Sequence, residues 1–495
     1  VLETAAEIVQ RLADSLADRT PKVLKNERYF RGEQPLTYAS DEWSRFNERR
    51  FAHFSDNWCG VVGSSPAERI RLTGISLGDD TEIVSDNERA LMKVWADNEM
   101  DAQSSQGFLH TIVAGRSFVM VWPGDDGPQV TWERADQCIV DYDEATRRPR
   151  YALKVWNDGI DEYATLYTST QLFKFERKMA QRIQVAKGAD IDHDRNFRAT
   201  AGAAPYGDPG AWIQRDTEGE AWPLPNPLGM LPLVEVPNRP VLGGEPMSDI
   251  AGVIAMQDAI NLLWAYLFAA ADFASMPARV VMGQEPPKIP ILDDAGTIIG
   301  EKPVDIEQLT RGRMLWLTGQ ETSVGQWDSA KLDIFTDVIQ RAVRTLAAQT
   351  RTPVHYLVGE SLGSLNSESL LVAESGLVAK VTEFQLFASG PMRQIFRLIA
   401  VALGDTELAD DIRSSQIVWK DPQTRTQAQT SDAALKDRQV GFPFSWIAAK
   451  RYGLSPAEVE RLVAIKEAES LSLLSGDLAL AFAPKPDPAP NAPQG

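Results

Sequence analysis

The chain has 495 residues, 43% hydrophobic and 24% charged, with a formal net charge of −19 and a pI of about 4.8. That length suits about three domains. The acidity excludes a simple DNA-binding protein, which would show a basic face, but not a channel through which DNA slides without adhering.

Residues 1–115 read as mostly helical, and 1–20 mix charges and aliphatics at helical spacing, unlike a secretory signal. Ala5, Ile8, Leu12 and Leu16 form one stripe, which predicts a helix over 3–18. Pro21 then starts a second helix that ends near Gly32. Further helices are predicted over 46–62, 87–99 and 102–114. Residues 117–177 switch to period two, with strands at Ser117–Trp122, Gln129–Trp132, Arg150–Trp156, Tyr163–Tyr167 and Gln171–Phe175. Turns at Gly124–Gly127 and Asn157–Gly159 make these an antiparallel meander. Residues 185–230, rich in Gly, Ala, Asp and Pro, read as an excursion. Two cysteines, Cys59 and Cys138, are too few for a disulfide framework and read as buried thiols.

Ser248 is a good N-cap, with Asp249 in the positive first turn of a helix that runs to about Ser275 and stops at Pro277. It is apolar on nearly every face and roughly 40 Å long, so its own domain or neighbouring subunits must cover it. Asp258, Asn261 and Asp272 inside it argue against a membrane span. Short strands at Arg279–Met282, Ile289–Leu292, Thr297–Ile299 and Met314–Leu317 make a small β-rich insertion. A second helix over 329–350 is amphipathic, with Leu332, Phe335, Ile339, Ala342, Val343 and Leu346 as its stripe. Pro353 ends it, and a Gly/Ser loop runs to Asn366. The next helix runs from Ser367 towards Leu403, with a kink expected at Pro391. Residues 405–475 form a small helical unit that includes a capping box at Ser455–Glu458. Leu478–Gly495 holds five prolines and reads as disordered. The fold class is α+β, predominantly helical.

Gly359-Glu360-Ser361-Leu362-Gly363 matches the G-x-S-x-G nucleophile elbow of serine hydrolases, and Val354–Val358 passes for the strand that precedes it. In that fold the base follows the serine, yet all four histidines, His53, His110, His193 and His355, precede Ser361. A loop whose glycines allow unusual backbone angles is the better account. Asp190–Asn196 imitates the start of a calcium loop, but Arg195 stands where glycine is needed and Ala201 where glutamate is needed. No zinc-ligand spacing and no P-loop is present, so neither metal nor cofactor is expected. Arg341, Arg344 and Arg351 leave two readings open: a face towards DNA phosphates, or a solvated face paired with acidic neighbours.

Three segments resemble one known family: Arg28-Tyr-Phe-Arg-Gly-Glu-Gln-Pro-Leu36; Asn57-Trp-Cys-Gly-Val-Val62 with Ala67-Glu-Arg-Ile-Arg71; and Ser248-Asp-Ile-Ala-Gly-Val-Ile-Ala-Met-Gln-Asp-Ala-Ile-Asn261. With the helix–insertion–helix–loop–helix order that follows, they resemble the portal proteins of long-tailed, siphovirus-like bacteriophages that infect Gram-positive bacteria. That resemblance implies a wing (1–247 and 367–404), two stem helices (248–276 and 329–351), a β-rich clip (277–328), a tunnel loop (352–366), a crown (405–475) and a disordered tail (476–495). It implies a ring of twelve copies at one capsid vertex, assembled in the host cytoplasm, through which double-stranded DNA is packaged and ejected. Terminase large subunit, head–tail adaptor, major capsid and scaffolding proteins would be its partners, with no membrane. Tyr356, Leu357, Gly359, Ser361, Leu362, Gly363, Ser364 and Asn366 would then line the tunnel. Ile260, Leu263, Trp264, Leu267, Phe268, Phe335 and Ile339 would pack subunits together in the stem. The rivals are a serine hydrolase built on Ser361 and a non-viral oligomeric scaffold.

Overall fold

The computed structural model describes residues 3–34, 36, 54–78, 85–178, 210–216, 219–275, 279–282, 288–292, 298–303, 314–317, 323–326, 331–358, 367–423, 427–454 and 456–481. They fall into two compact units. Unit one comprises Val1–Glu27, Gly63–Ala251 and Glu374–Gly495; unit two comprises Arg28–Val62 and Gly252–Ala373.

The chain opens with α1 (Ala5–Arg31), a single helix where two were expected. Pro21 lacks an N–H and disfavours helix at the residue before it. Thr20 nonetheless stays helical, its Oγ1 donating to the Leu16 carbonyl at 2.8 Å. Buried Leu16 and Val23 hold the helix on either side of the proline. Next come α2 (Trp58–Ala67), β1 (Leu72–Ser76), α3 (Asp86–Asp97) and α4 (Met100–Ala114). Of the helix expected over 46–62, residues 54–57 are not helical, and 46–53 lie outside the described residues. Ser85 and Glu88 close a capping box at the start of α3.

The expected meander is two sheets. In the first, β2 (Arg116–Gly124) lies between β3 (Gly127–Glu133) and β10 (Leu233–Pro237), all antiparallel. The second runs β4 (Cys138–Tyr142), β5 (Pro149–Asn157), β6 (Asp161–Tyr167), β7 (Gln171–Lys178) and β8 (Ile213–Gln214), with β9 (Leu224–Pro225) also on β7. Strands β4 and β8–β10 were not expected. They are short or proline-bearing, and only pairing with a neighbour makes them strands. Period two explains the sheet's two faces. Leu153, Val155, Ala164, Leu166 and Phe175 pack on Ile8, Val9, Leu12 and Leu16 of α1. Cys138, Val140, Ala152, Tyr167 and Leu172 meet Phe118, Leu231 and Leu233 of the first sheet.

The largest core of unit one gathers around α8 (Ser367–Ala402), which runs as one helix through Pro391. Trp95 stacks on Phe396 at 5.4 Å, and Phe108 meets Trp132, Phe384 and Trp419 edge-on or tilted. After α9 (Thr406–Asp411), β16 (Gln416–Trp419) pairs antiparallel with β1. Then follow α10 (Gln427–Val440), α11 (Phe444–Tyr452) and α12 (Pro456–Ala481). α12 continues past residue 475, and the next proline is Pro484. The remainder of the expected tail lies outside the described residues.

Unit two holds α5 (Ile254–Ser275), strands β11 (Arg279–Met282), β12 (Lys288–Leu292), β13 (Ile298–Pro303), β14 (Met314–Leu317) and β15 (Ser323–Gln326), then α6 (Asp333–Thr350) and the one-turn α7 (Val354–Leu357). β11 pairs in parallel with β14 and antiparallel with β15, while β12 and β13 form a hairpin. α5 packs on α6, and α6 on α7.

Candidate channel and assembly site

α5 is apolar, and Ala251–Ala271 has the length and composition of a membrane span. Its polar residues are nevertheless engaged. Gln257, Asp258 and Asn261 are all buried. Gln257 Oε1 accepts from the backbone N–H groups of Trp58 and Cys59 at 2.8 and 3.2 Å. Asn57 Oδ1 accepts from Gly60 N at 3.0 Å. Three of the four N–H groups orphaned at the start of α2 are thus satisfied by side chains. Gln257 Nε2 donates to the Asp56 carbonyl and, at 3.2 Å, to Asn261 Oδ1, which also accepts from Asp56 N at 2.9 Å. The Tyr29 hydroxyl donates to Asp258 at 2.8 and 2.9 Å. Asp56 Oδ2 accepts from the indoles of Trp58 and Trp264 at 2.9 and 2.8 Å. Burial pushes the Asp56 carboxyl up despite those two donors. Burial, with the charge of Asp258, pushes the Cys59 thiol up to about 12, so this thiol is structural and inert.

The residues expected to pack subunits divide by exposure. Ile260, Leu267 and Ile339 are buried within one chain. Leu263, Trp264, Phe268 and Phe335 are half-buried. Trp264 and Phe268 stack at 5.6 Å, and Phe54 meets Phe268 edge-on at 5.2 Å.

α6 buries Ile339, Val343, Leu346, Ala347 and Thr350. Its opposite face carries Ile334, 61% exposed, and Val338, 43% exposed, beside exposed Arg341 and Arg344. The periodicity reading missed Ile334 and Val338; its available signal was an i, i+4 apolar pair lying off the main stripe. Arg351 is exposed and closes the helix at φ 56, its N–H reaching Ala347 and Ala348 carbonyls.

Beyond Pro353, residues 354–357, which could pass for the strand of a nucleophile elbow, make the helical turn α7. That removes the strand–turn–helix setting a nucleophile elbow needs. On α7, Tyr356 is exposed and Leu357 is buried. Gly359, Ser361, Leu362, Gly363, Ser364 and Asn366 lie outside the described residues, as does the calcium-like stretch 190–201.

Comparison with known proteins places this arrangement. The family model "Phage portal protein, SPP1 Gp6-like" matches residues 10–468. The portal protein of Mycobacterium phage L5 is 24% identical over 446 residues, covering 88% of this chain and 82% of that one. The portal protein of Mycobacterium phage D29 is 26% identical over 391 residues, covering 75% and 70%. Among solved structures, a chain of the virion of a native gene transfer agent particle aligns at 12% identity, covering 85% and 95%, with a TM-score of 0.33, too low to speak to the fold. With a family model that spans both units, the chain belongs to the SPP1 Gp6-like family of phage portal proteins.

Proposed function

We propose that this portal protein is the subunit of a twelve-membered ring at one capsid vertex, the conduit through which double-stranded DNA is packaged and ejected. The family match over residues 10–468 carries the proposal. Supporting it, α5, the strands β11–β15 and α6 follow the order of stem, clip and stem. In this assignment 248–276 and 329–351 are the stem, 277–328 the clip, 352–366 the tunnel loop, 405–475 the crown, and 1–247 with 367–404 the wing.

A ring gives the exposed Ile334 and Val338 a partner, the neighbouring copy, and leaves Leu263, Trp264, Phe268 and Phe335 surface to share. Terminase large subunit would dock during packaging and the head–tail adaptor afterwards, with capsid and scaffolding proteins around the wing. The role is structural: with a chain charge of −19, most of the wall repels DNA, and Arg341, Arg344 and Arg351 are the candidate points of contact.

The test is native mass spectrometry of the purified chain together with electron microscopy. Twelve copies of 54.7 kDa give a species of about 656 kDa, seen end-on as a ring with an open centre. A monodisperse monomer or dimer would reject the ring.

A further inference from the structure

The second sheet of unit one is covered unevenly. Where the first sheet packs on it, Ala152 and Tyr167 are buried. Further along the same face Thr165 stays buried, while Lys154, Trp156 and Tyr163 are half-buried. Lys154 sits opposite Thr165 and Trp156 opposite Tyr163. The Trp156 and Tyr163 rings stack at 5.8 Å, and the Arg215 guanidinium lies over both, 5.8 and 5.4 Å from their centroids. At the step between the buried and half-buried parts lies a cleft of about 320 Å³, lined by Met120, Gln137, Lys154, Trp156 and Tyr167.

Three hydrogen-bond donors border this cleft with little to do. The Trp156 indole N–H and the Gln137 side-chain amide bond to nothing among the described residues, although each is partly exposed. The hydroxyl of Tyr167, a residue 8% exposed, has the Met120 thioether as its acceptor at 3.9 Å, a weak bond. Lys154 is held by Glu133 at 2.7 Å. An aromatic wall with unengaged indole and amide donors and a weakly held phenol fits a backbone that presents ridges of prolyl rings and has every carbonyl free. Polyproline II is that backbone, because it makes no internal hydrogen bonds.

The chain carries one segment of this kind. Pro484, Pro486, Pro488, Pro490 and Pro493 fall within ten residues, and Pro490-Asn-Ala-Pro493 has the P-x-x-P spacing. Proline fixes φ near the polyproline value, so such a segment loses little entropy on docking. Asp487 within it complements Arg215 in charge. We infer that the cleft of Met120, Gln137, Trp156 and Tyr167 is a docking site for the proline-rich segment 484–493 of this protein. The inference does not depend on the number of copies in a ring.

The test titrates a fluorescent peptide of residues 483–494 into two full-length proteins, followed by anisotropy. One is the natural chain. The other carries Pro484→Ser, Pro486→Ser, Pro488→Ser, Pro490→Ser and Pro493→Ser. The serine variant should bind the peptide saturably, and the natural chain at least about tenfold more weakly, because its own tail competes at high effective concentration. In the serine background, Trp156→Leu and the milder Tyr167→Phe and Gln137→Ala should each weaken binding; the latter two remove donors and keep the fold, checked by circular dichroism. Absence of saturable binding overturns the inference. So does equal binding to both proteins, which would show that the protein's own tail does not occupy the cleft. So does binding that all three cleft substitutions leave unchanged.

Discussion

Asp249, expected to act on a helix dipole, does something else. Its carboxylate is 2.7 Å from Lys380 Nζ, with the two side chains 2% and 7% exposed, and Asn238 Nδ2 donates to it at 3.0 Å. The regular α-helix starts only at Ile254, after a 3-10 turn over Ala251–Val253. Removing Lys380 leaves the buried Asp249 carboxylate with only the partly exposed Arg239, 3.7 Å away. Lys380→Met should therefore cost about 3–5 kcal/mol in urea unfolding, and adding Asp249→Leu should recover part of that. Glu27 gives a pH test. Burial pushes its carboxyl up, but His110 and Arg134 outweigh burial and hold it below the usual carboxylate value of 4.5. A depressed folded pKa stabilises above the unfolded pKa, and that contribution is lost as pH falls through the folded one. The stability gap between wild type and Glu27→Gln should be complete at neutral pH and shrink below about pH 4.5. A gap independent of pH would deny the pairing. Gly107 explains itself sterically: a Cβ there would overlap the Trp132 indole, which bonds Ser117 Oγ at 2.8 Å. Gly107→Ala should destabilise by about 1–3 kcal/mol in thermal melts.

At the scale of elements, the two faces of α6 differ in burial. Val343 is 2% exposed on its inner face and Val338 43% exposed on its outer face. Val343→Asp should unfold unit two. Val338→Asp should leave the melting curve nearly unchanged but abolish rings in electron micrographs, and rings that persist would remove this face from the subunit contact. Leu263→Asp on half-buried α5 should also abolish rings. The inner stripe of α6 was legible because an amphipathic helix repeats every 3.6 residues. The role of Gln257 was not. A buried glutamine in an apolar helix gives no local sign that it will satisfy the N–H groups of Trp58 and Cys59, 199 and 198 residues away.

For the whole molecule, charge sets the behaviour towards DNA. With a net −19, the protein should pass a double-stranded DNA column unretained at about 0.15 M salt, where repulsion acts over roughly 8 Å. Strong retention would mean that its basic residues are concentrated on one surface and would change the view of the channel wall.

Local pattern was enough to determine most helices, the central strands of the second sheet, the acidity and the family, because periodicity, capping and segment order are written in neighbouring residues. Tertiary structure decided the rest. It merged two helices across Pro21, since packing on both sides outweighs one lost hydrogen bond. It divided one meander into two sheets and made strands of Leu233–Pro237 and Gln416–Trp419, whose partners lie far away in the chain. It also fixed which apolar residues of α5 and α6 are buried and which stay exposed. Burial depends on every element that approaches a surface, and no window of sequence contains them all.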